Sequence, residues 1–387
     1  MLRRRGRFSS WHAPDLPLVG ALFALLAFGV LMVYDSSVVV SLGLFGGQYH
    51  FLLLQLTWVV LGLGIALPFF FLDYHRLRRI ALPLFLLVLF LLGLILLPLP
   101  FGGITSEANR WFTFPLELPL LGSLSFQPSE LSKLALVLYL ATLFSWKERR
   151  LPGRVGLLSF LIPTAVVVGL IVAEPNFGTG VVVAAVGSVV FFLAGGSLLQ
   201  LFLLLPPALG GLVALALAAP YRVQRIFTLL NPSADPLGAG YQINQILIAL
   251  GSGGLFGLGI GESRQKFGYI PEVSTDAVFA VIGEEFGLLG TLFVLSLFAF
   301  IVYRGFEVAR NAPDDFGKIL AGGIISWFGI QTIVNLAAIT GIFPLTGITL
   351  PFISYGGSSL VVLLIALGIL LNISRQTVAS ASESARR

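Results

Sequence analysis

The sequence predicts an all-α polytopic membrane protein whose chain crosses the bilayer about ten times. Of its 387 residues, 57% are hydrophobic and only 11% are charged, whereas a soluble domain carries about 25% charged residues. Apolar runs long enough to span a bilayer as helices recur along the chain. They occupy residues 18–34, 50–72, 79–98, 129–146, 156–173, 178–195, 198–219, 276–303, 318–340 and 356–373. We therefore expect one membrane domain that includes residues 1–387.

The basic residues indicate which side of the membrane each connection faces. An even number of spans puts both termini on the same side, and most of the 23 Lys and Arg residues lie in connections on that side. The positive-inside rule then predicts that the basic tail 1–17 and the C-terminal tail 374–387 are cytoplasmic. It also predicts that the residues between the seventh and eighth spans lie outside.

The connection between the seventh and eighth spans, residues 220–275, is the longest in the chain. A loop of this length is usually functional or disordered. This one contains too many aliphatic and aromatic residues for a disordered linker, and short amphipathic pieces such as 241–247. We therefore expect a long structured extracytoplasmic loop that folds back onto the outer face of the helices.

Composition excludes several classes of function. The chain has no cysteine and only three histidines, which excludes disulfides and thiol chemistry and argues against a histidine-based metal site. Its net charge of +5 comes from short clusters between apolar runs, so it reflects membrane topology rather than nucleic-acid binding. No cofactor is evident from the sequence, and a divalent cation remains an open alternative.

Ionisable residues inside spans are functional candidates because burying them in a membrane is costly. Glu130 and Lys133 begin the fourth span, just after Pro128 and Ser129, which suit a helix start. They are three residues apart and share one face of the helix. Two interpretations stay open: a structural ion pair, or a pair whose lysine also meets an anionic substrate.

Asp276 begins the eighth span at the predicted outer boundary, where Ser274 or Thr275 can cap the helix. An acidic residue in a first helical turn also has a purely structural explanation, because it interacts favourably with the helix dipole. Deeper in the same span, Glu284 and Glu285 point in different directions. At least one of these two carboxylates must therefore face protein or water.

Polar side chains also mark the last two spans. Gln331 and Asn335 lie four residues apart on one face of the ninth span, as expected for interhelical hydrogen bonds. The loop that follows is rich in proline, glycine and hydroxyl residues, which favours a structured or re-entrant segment. Its polar residues include Ser354, Tyr355 and Ser358. The few basic residues on the predicted outer side can act as anion contacts or form loop salt bridges: Arg110, Arg222, Arg225, Arg264 and Lys266.

Several motifs in the same order make the chain resemble, from end to end, the shape, elongation, division and sporulation (SEDS) family of bacterial membrane glycosyltransferases. These motifs are FQPSELSK at 126–133, Asn231-Pro232 with 240–242, GSGGLFG at 251–257, YIPE at 269–272 with Thr275 and Asp276, Glu284 and Glu285 with Gly287, and 344–359. The run GIGESRQK at 259–266 and the stretch 344–347 resemble the FtsW and SpoVE branch more than RodA. Asn176 departs from the pattern, since the family commonly has aspartate there.

The resemblance implies an inverting peptidoglycan glycosyltransferase of the bacterial cytoplasmic membrane. It would polymerise lipid II, the undecaprenyl-pyrophosphate-linked disaccharide pentapeptide, at the outer face in cell division or elongation. The implied partners are a class B penicillin-binding protein transpeptidase and other division or elongation proteins. Asp276 matches the family's catalytic aspartate. The expected substrate-binding residues are Lys133, Glu130, Arg110, Ser129, Arg222, Arg264, Lys266, Gln331, Asn335, Ser354, Tyr355 and Ser358.

Two other functions fit the same sequence features. The roughly ten helices with polar residues inside also suggest a lipid II flippase, which would need alternating access and would form no new covalent bond. A noncatalytic division scaffold would tolerate changes of the outer charged residues.

Overall fold

Each predicted span coincides with an α-helix in the computed structural model. The structure describes residues 11–97, 110–118, 122–146, 154–217 and 240–377, together with 223, 228 and 238. Its helices are α1 (Leu16–Phe45), α2 (His50–Phe71), α3 (Leu77–Ile95), α4 (Pro128–Phe144), α5 (Arg154–Ala173), α6 (Phe177–Leu193), α7 (Leu198–Leu217), α8 (Tyr241–Ser252), α9 (Val278–Arg310), α10 (Asp315–Ile339) and α11 (Gly357–Ser374).

Length and composition mark most of these helices as membrane spans. In the described part of the chain, seven helices are long and apolar enough to cross a bilayer: α1, α2, α3 with the preceding turn, α5, α9, α10 and α11. Helix α6 and the apolar part of α7 are shorter, and α4 carries Glu130 and Lys133. The predicted all-α membrane fold is confirmed, and the helix positions are consistent with ten spans.

Burial separates central helices from peripheral ones. In α10 and α11, 72% of the apolar span is buried, compared with 22% in α2 and 33% in α5. Helix α10 packs against α4, α6, α9 and α11, so it forms the centre of the bundle. Helices α2 and α5 present most of their apolar surface outward, as expected for helices in contact with lipid.

A β-hairpin precedes α4, although the sequence pattern did not indicate one. Strand β1 (Phe112–Leu118) pairs with β2 (Gly122–Phe126) in antiparallel orientation, and the register shifts between Thr113 and Glu117. Proline inside a run argues against a strand except at edges and bulges. Pro115 lies within the irregular part of β1, which explains why the alternating pattern was difficult to recognise.

Helix α9 is broken at Gly287, whose backbone is non-helical with φ of 64° and ψ of −162°. The break separates a short buried helix, 278–286, from a longer segment, 288–310. Four backbone hydrogen bonds join the break to the loop between α8 and α9: Leu258 N to Glu284 O, Gly259 N to Glu285 O, Leu288 N to Gly254 O, and Leu289 N to Leu255 O. At membrane depth, backbone groups released by a helix break need such protein partners.

Close backbone approach explains two glycines of the 251–257 motif, Gly253 and Gly257. A Cβ atom at Gly253 would lie 1.9 Å from Gly283 O, and one at Gly257 would lie 2.0 Å from Glu285 O. Any side chain at these positions would therefore collide with the broken helix. Helix α8 also packs against α9, so the part of the loop described here, 240–275, folds onto the helices as predicted.

Candidate active site

The buried pair Glu130 and Lys133 lies at the start of α4. Lys133 Nζ donates to Glu130 Oε2 at 2.7 Å, and the two residues are only 2% and 6% exposed, respectively. The helix begins at Pro128, as predicted, so both side chains project from its first two turns. The expected ion pair is therefore present in the interior of the bundle.

Gln331 connects this pair to the rest of the site. Its Oε1 accepts hydrogen bonds from Lys133 Nζ and Trp327 Nε1, both at 2.8 Å. Its Nε2 donates to Thr349 O at 2.9 Å. Lys133 Nζ also lies 5.1 Å from the centre of the Trp327 ring, within the range of a cation–π interaction. One amide thus joins α4, α10 and the 341–356 loop.

Asp276 lies where the 240–275 loop, α10 and the 341–356 loop meet. Its backbone oxygen accepts a hydrogen bond from Asn335 Nδ2 at 3.3 Å. A Cβ atom at Gly347 would lie 3.3 Å from Asp276 Oδ2, so the carboxylate is close to that glycine. Tyr355 N donates to Ser274 O at 2.9 Å. The segment that precedes the short helix is therefore held from two sides.

The helix start predicted at Asp276 is wrong by two residues. Helix α9 begins at Val278, and its N-cap residue Ala277 has no side-chain capping bond. Asp276 N instead donates to Glu272 O at 3.1 Å, so Asp276 belongs to the turn before the helix. Asp276 therefore lies next to the N-terminus of the helix rather than within its first turn.

The 341–356 loop contains no regular secondary structure but is tied to protein partners. Asn335 Nδ2 donates to Ile348 O at 2.6 Å, and Ser354 Oγ accepts from Leu350 N at 2.9 Å. These bonds support the predicted structured segment. Asn335 and Gln331 are one helical turn apart, about 6 Å along α10. The contacts of Asp276 and of Lys133 are therefore neighbours on one face of this helix.

Ser129 and Ser358 hold the start of α4. Ser129 Oγ accepts from Asn176 Nδ2 at 3.3 Å. Ser358 Oγ accepts from Gln127 N at 3.3 Å and donates to Ser125 O at 3.1 Å. Both predicted site residues are thus engaged in contacts that fix the position of the Glu130–Lys133 pair.

Arg110 joins the connection between α3 and α4 to the turn between α5 and α6. Its Nε donates to Glu174 O at 3.0 Å, and its Nη2 donates to Pro175 O at 2.5 Å. The Glu174 carboxylate is fully buried, with neither oxygen hydrogen-bonded. Burial raises the pKa of Glu174 to about 8, although the nearby Arg110 acts in the opposite direction. Glu174 is therefore mostly protonated at neutral pH.

Lys266 lies away from the Asp276–Lys133 face. Its Nζ contacts Asp35 Oδ1 at 2.7 Å and Glu285 Oε1 at 2.8 Å. The side chain of Arg264 is exposed, and its backbone N donates to Glu284 at 3.1 Å. Tyr355 is half-buried with its ring edge-on to Phe51. Arg222 and Arg225 lie outside the described residues, so their predicted anion contacts stay predictions.

Comparison with models of protein families shows which family the chain belongs to. Residues 17–379 match the model of the cell cycle proteins FtsW, RodA and SpoVE. The chain belongs to this family. Stage V sporulation protein E of Bacillus subtilis is 41% identical over 366 residues, or 94% of this chain and 97% of that protein. A probable peptidoglycan glycosyltransferase FtsW, from Trichlorobacter lovleyi, is 39% identical over 375 residues, or 97% and 96%.

Solved structures agree with the assignment to the FtsW, RodA and SpoVE family. One similar chain belongs to a peptidoglycan synthase complex described as coordinating polymerization and crosslinking. It has a TM-score of 0.74 and 32% identity, over 96% of this chain and 100% of that one. RodA of Thermus thermophilus has a TM-score of 0.67 and 30% identity, over 96% and 99%. The predicted likeness to FtsW and SpoVE is confirmed.

Three residues that contact predicted site residues were missed from the sequence. Trp327 and Thr349 look like ordinary apolar and loop residues, and no local signal marks them. Asp35 did carry a signal, because it is an acidic residue within the long apolar first helix. Within the described residues there is no group of three or more His, Asp or Glu side chains suited to a metal ion.

Proposed function

We propose that this chain is a peptidoglycan glycosyltransferase that polymerises lipid II into glycan strands at the outer face of the cytoplasmic membrane. Relatives with 39% identity over nearly the whole chain are named probable peptidoglycan glycosyltransferases. The observation that carries the proposal is that Asp276 and the buried Lys133 both contact neighbouring residues of α10. Asp276 contacts Asn335, and Lys133 contacts Gln331 one helical turn away.

Asp276 is proposed as the general base. The acceptor sugar's hydroxyl oxygen forms a bond to the donor's anomeric carbon, while the bond from that carbon to the pyrophosphate oxygen breaks. The pyrophosphate leaves with the bonding electrons, and the hydroxyl proton goes to the Asp276 carboxylate. In-line attack on an oxocarbenium-like carbon inverts its configuration. An ordinary aspartate is ionised at neutral pH and can act as a general base without further activation.

Lys133 is proposed to stabilise the leaving pyrophosphate. An ammonium group has three donors, and two of them are directed at Glu130 and Gln331. The third can bind a phosphate oxygen once substrate enters. Because Lys133 is only 2% exposed, this contact requires a local opening around α4.

The remaining predicted residues are proposed to shape the same binding region. Arg110 and the exposed Arg264 offer cations near the outer surface, and Arg222 is proposed as a third. Others position α4, α10 and the 341–356 loop rather than the reacting atoms: Glu130, Ser129, Gln331, Asn335, Ser354, Tyr355 and Ser358.

A cross-linking partner is also proposed. One structural neighbour belongs to a synthase complex described as coordinating polymerization and crosslinking. We expect a class B penicillin-binding protein to bind the helices of this chain and to be needed for full activity. Comparing the polymerisation rate of the purified chain with and without this partner tests the expectation. Equal rates would contradict it.

A polymerisation assay tests the function itself. Purified chain, alone and with its cognate transpeptidase, is incubated with fluorescent lipid II, with and without a divalent cation or chelator. The products are then separated on a gel. We expect a ladder of glycan strands that a muramidase degrades. Transfer of lipid II across a vesicle membrane without a ladder would favour the flippase, and neither activity would favour the scaffold.

A further inference from the structure

A buried ion cluster connects three distant parts of the chain. Lys266, in the outer loop, is only 2% exposed. Its Nζ contacts Asp35 of α1 at 2.7 Å and Glu285 of the short helix at 2.8 Å. In the sequence, Lys266 is 231 residues from Asp35 and 19 residues from Glu285. The cluster therefore links α1 and the outer loop to the broken helix.

The neighbouring residues of the loop wrap around the same helix end. Glu284 accepts hydrogen bonds from Ser263 Oγ at 2.6 Å, Arg264 N at 3.1 Å and Gln265 N at 3.2 Å. Ser263 N also donates to Glu285 Oε1 at 3.1 Å. The segment 263–266 thus closes over both carboxylates next to the break at Gly287.

Stability alone does not account for this cluster. The desolvation cost of a buried ion pair is nearly as large as the attraction between its charges. Well-packed apolar residues therefore often stabilise a fold equally well. Ionisable groups at membrane depth are therefore retained mainly where they have a function. The cluster lies beside a helix break, and backbone bonds from 254–259 already satisfy the break itself.

The short helix connects the cluster to Asp276. Residues 278–285 are all buried, so the helix is packed on every side. Glu285 is nine residues after Asp276, and the intervening helix is about 12 Å long at 1.5 Å per residue. Asn335 and Tyr355 hold the Asp276 end, whereas Lys266 holds the other end. A shift or rotation at Glu285 would therefore move Asp276.

We propose that Lys266, oriented by Asp35, is a positioning residue for glycosyl transfer: it fixes the inner end of helix 278–286 through Glu285 and so keeps the Asp276 carboxylate in place. This inference rests on the proposed role of Asp276. It also replaces the predicted anion contact at Lys266, since two carboxylates already bind Nζ.

The test compares substitutions at the cluster with a matched control in the same loop. Lys266→Met removes the charge and keeps most of the volume, whereas Lys266→Arg keeps the charge. Glu285→Gln neutralises the carboxylate that Lys266 contacts. Glu262→Gln makes the same chemical change at an exposed position of the loop. Each full-length variant is purified with its partner, and kcat and KM for fluorescent lipid II are measured together with thermal unfolding.

We expect Lys266→Met and Glu285→Gln to lower kcat about 10- to 100-fold while KM stays within about twofold, because small misplacements of a catalytic group cost this much. Lys266→Arg should recover a large part of kcat, and Glu262→Gln should match the wild type. Should Lys266→Met fail to fold, Asp35→Asn tests the orienting contact instead: Lys266 and Glu285 stay in contact, so we expect a smaller loss of kcat with an unchanged KM.

Three outcomes would overturn the proposal. An unchanged kcat in Lys266→Met would show that Asp276 needs no support from the cluster. A raised KM with unchanged kcat would indicate direct binding of substrate by Lys266. Loss of kcat only in proportion to loss of folded protein would reduce the cluster to a structural role. A wild-type enzyme that makes no polymer would instead contradict the proposed function.

Discussion

Gln331 accepts a hydrogen bond from Lys133 Nζ at 2.8 Å, and this contact joins the centre of α10 to the start of α4. The same Oε1 accepts from Trp327, so Lys133 has a polar partner besides Glu130. Lys133 is thus held in place by two elements, which is more than a local ion pair within one helix requires.

Substitutions of Glu130 and Lys133 separate pairing from direct contact with substrate. Removing either partner alone leaves a buried charge uncompensated, which costs about 3–5 kcal/mol of stability. We expect the double variant Glu130→Ala/Lys133→Ala to recover much of this loss but to remain inactive, because the pyrophosphate has lost its cation. Thermal unfolding and the polymerisation gel measure the two effects. Full activity of the double variant would confine the pair to a structural role.

Cysteine labelling tests the predicted orientation, since the chain has no cysteine of its own. Glu262 and Lys318 are both exposed, and the orientation predicts that they lie on opposite sides. A membrane-impermeant maleimide should label Glu262→Cys in intact spheroplasts and Lys318→Cys only after permeabilisation. The reverse pattern would overturn the orientation and, with it, the outer location of the site.

The sequence predicts the spans well and the details of α9 less well. Long apolar runs fix the helix positions because the bilayer imposes their length. The break at Gly287 is different, because a single glycine inside an apolar run costs only about 1 kcal/mol and does not by itself indicate a break. The break depends on bonds from 254–259, residues that no local pattern connects to Gly287.

The same distinction between local and distant contacts applies to the site. Glu130 and Lys133 are three residues apart on a helix, so their contact follows from helical geometry. Lys266 and Asp35 are 231 residues apart, and only the packed fold brings them together. Asp276 could be singled out by its position, but its neighbour Gly347 could not.

Glu174 should make the stability of the protein depend on pH. Burial raises its pKa from 4.5 to about 8 in the folded state, against the opposing effect of Arg110. Between these values the unfolded chain releases a proton that the folded protein keeps, so stability falls as pH rises from about 5 to 8. We expect Glu174→Gln to raise the thermal midpoint, with a gain that grows over this range to several degrees, at roughly 2–4 °C per kcal/mol.

The exposed Glu262 provides the control for this titration. Glu262→Gln makes the same change at the surface and should leave the pH dependence of the wild type intact. A gain from Glu174→Gln that is the same at pH 5 and pH 8 would show that Glu174 does not titrate in this range.

Adding a side chain at Gly347 should lower the activity. Its φ is +69°, and an added Cβ would lie 3.3 Å from Asp276 Oδ2. Gly268 has a similar φ of +88° but open space around it, so Gly268→Ala isolates the backbone strain of about 1–2 kcal/mol. We expect Gly347→Ala to lower kcat by about tenfold beyond that control, because the carboxylate is displaced. Equal activities of the two variants would place the carboxylate away from residue 347 during the reaction.

Asp276→Asn tests the base directly. Asparagine is similar in size and can still form hydrogen bonds, but it cannot accept the hydroxyl proton. A change in helix capping does not explain a loss, since asparagine caps a helix about as well as aspartate. We therefore expect a folded, membrane-inserted protein whose polymerisation falls by about 100-fold or more, the usual contribution of a positioned acid or base. Asp315→Asn, the same change in the exposed first turn of α10, should leave the glycan ladder unchanged. A normal ladder from Asp276→Asn would require a different base.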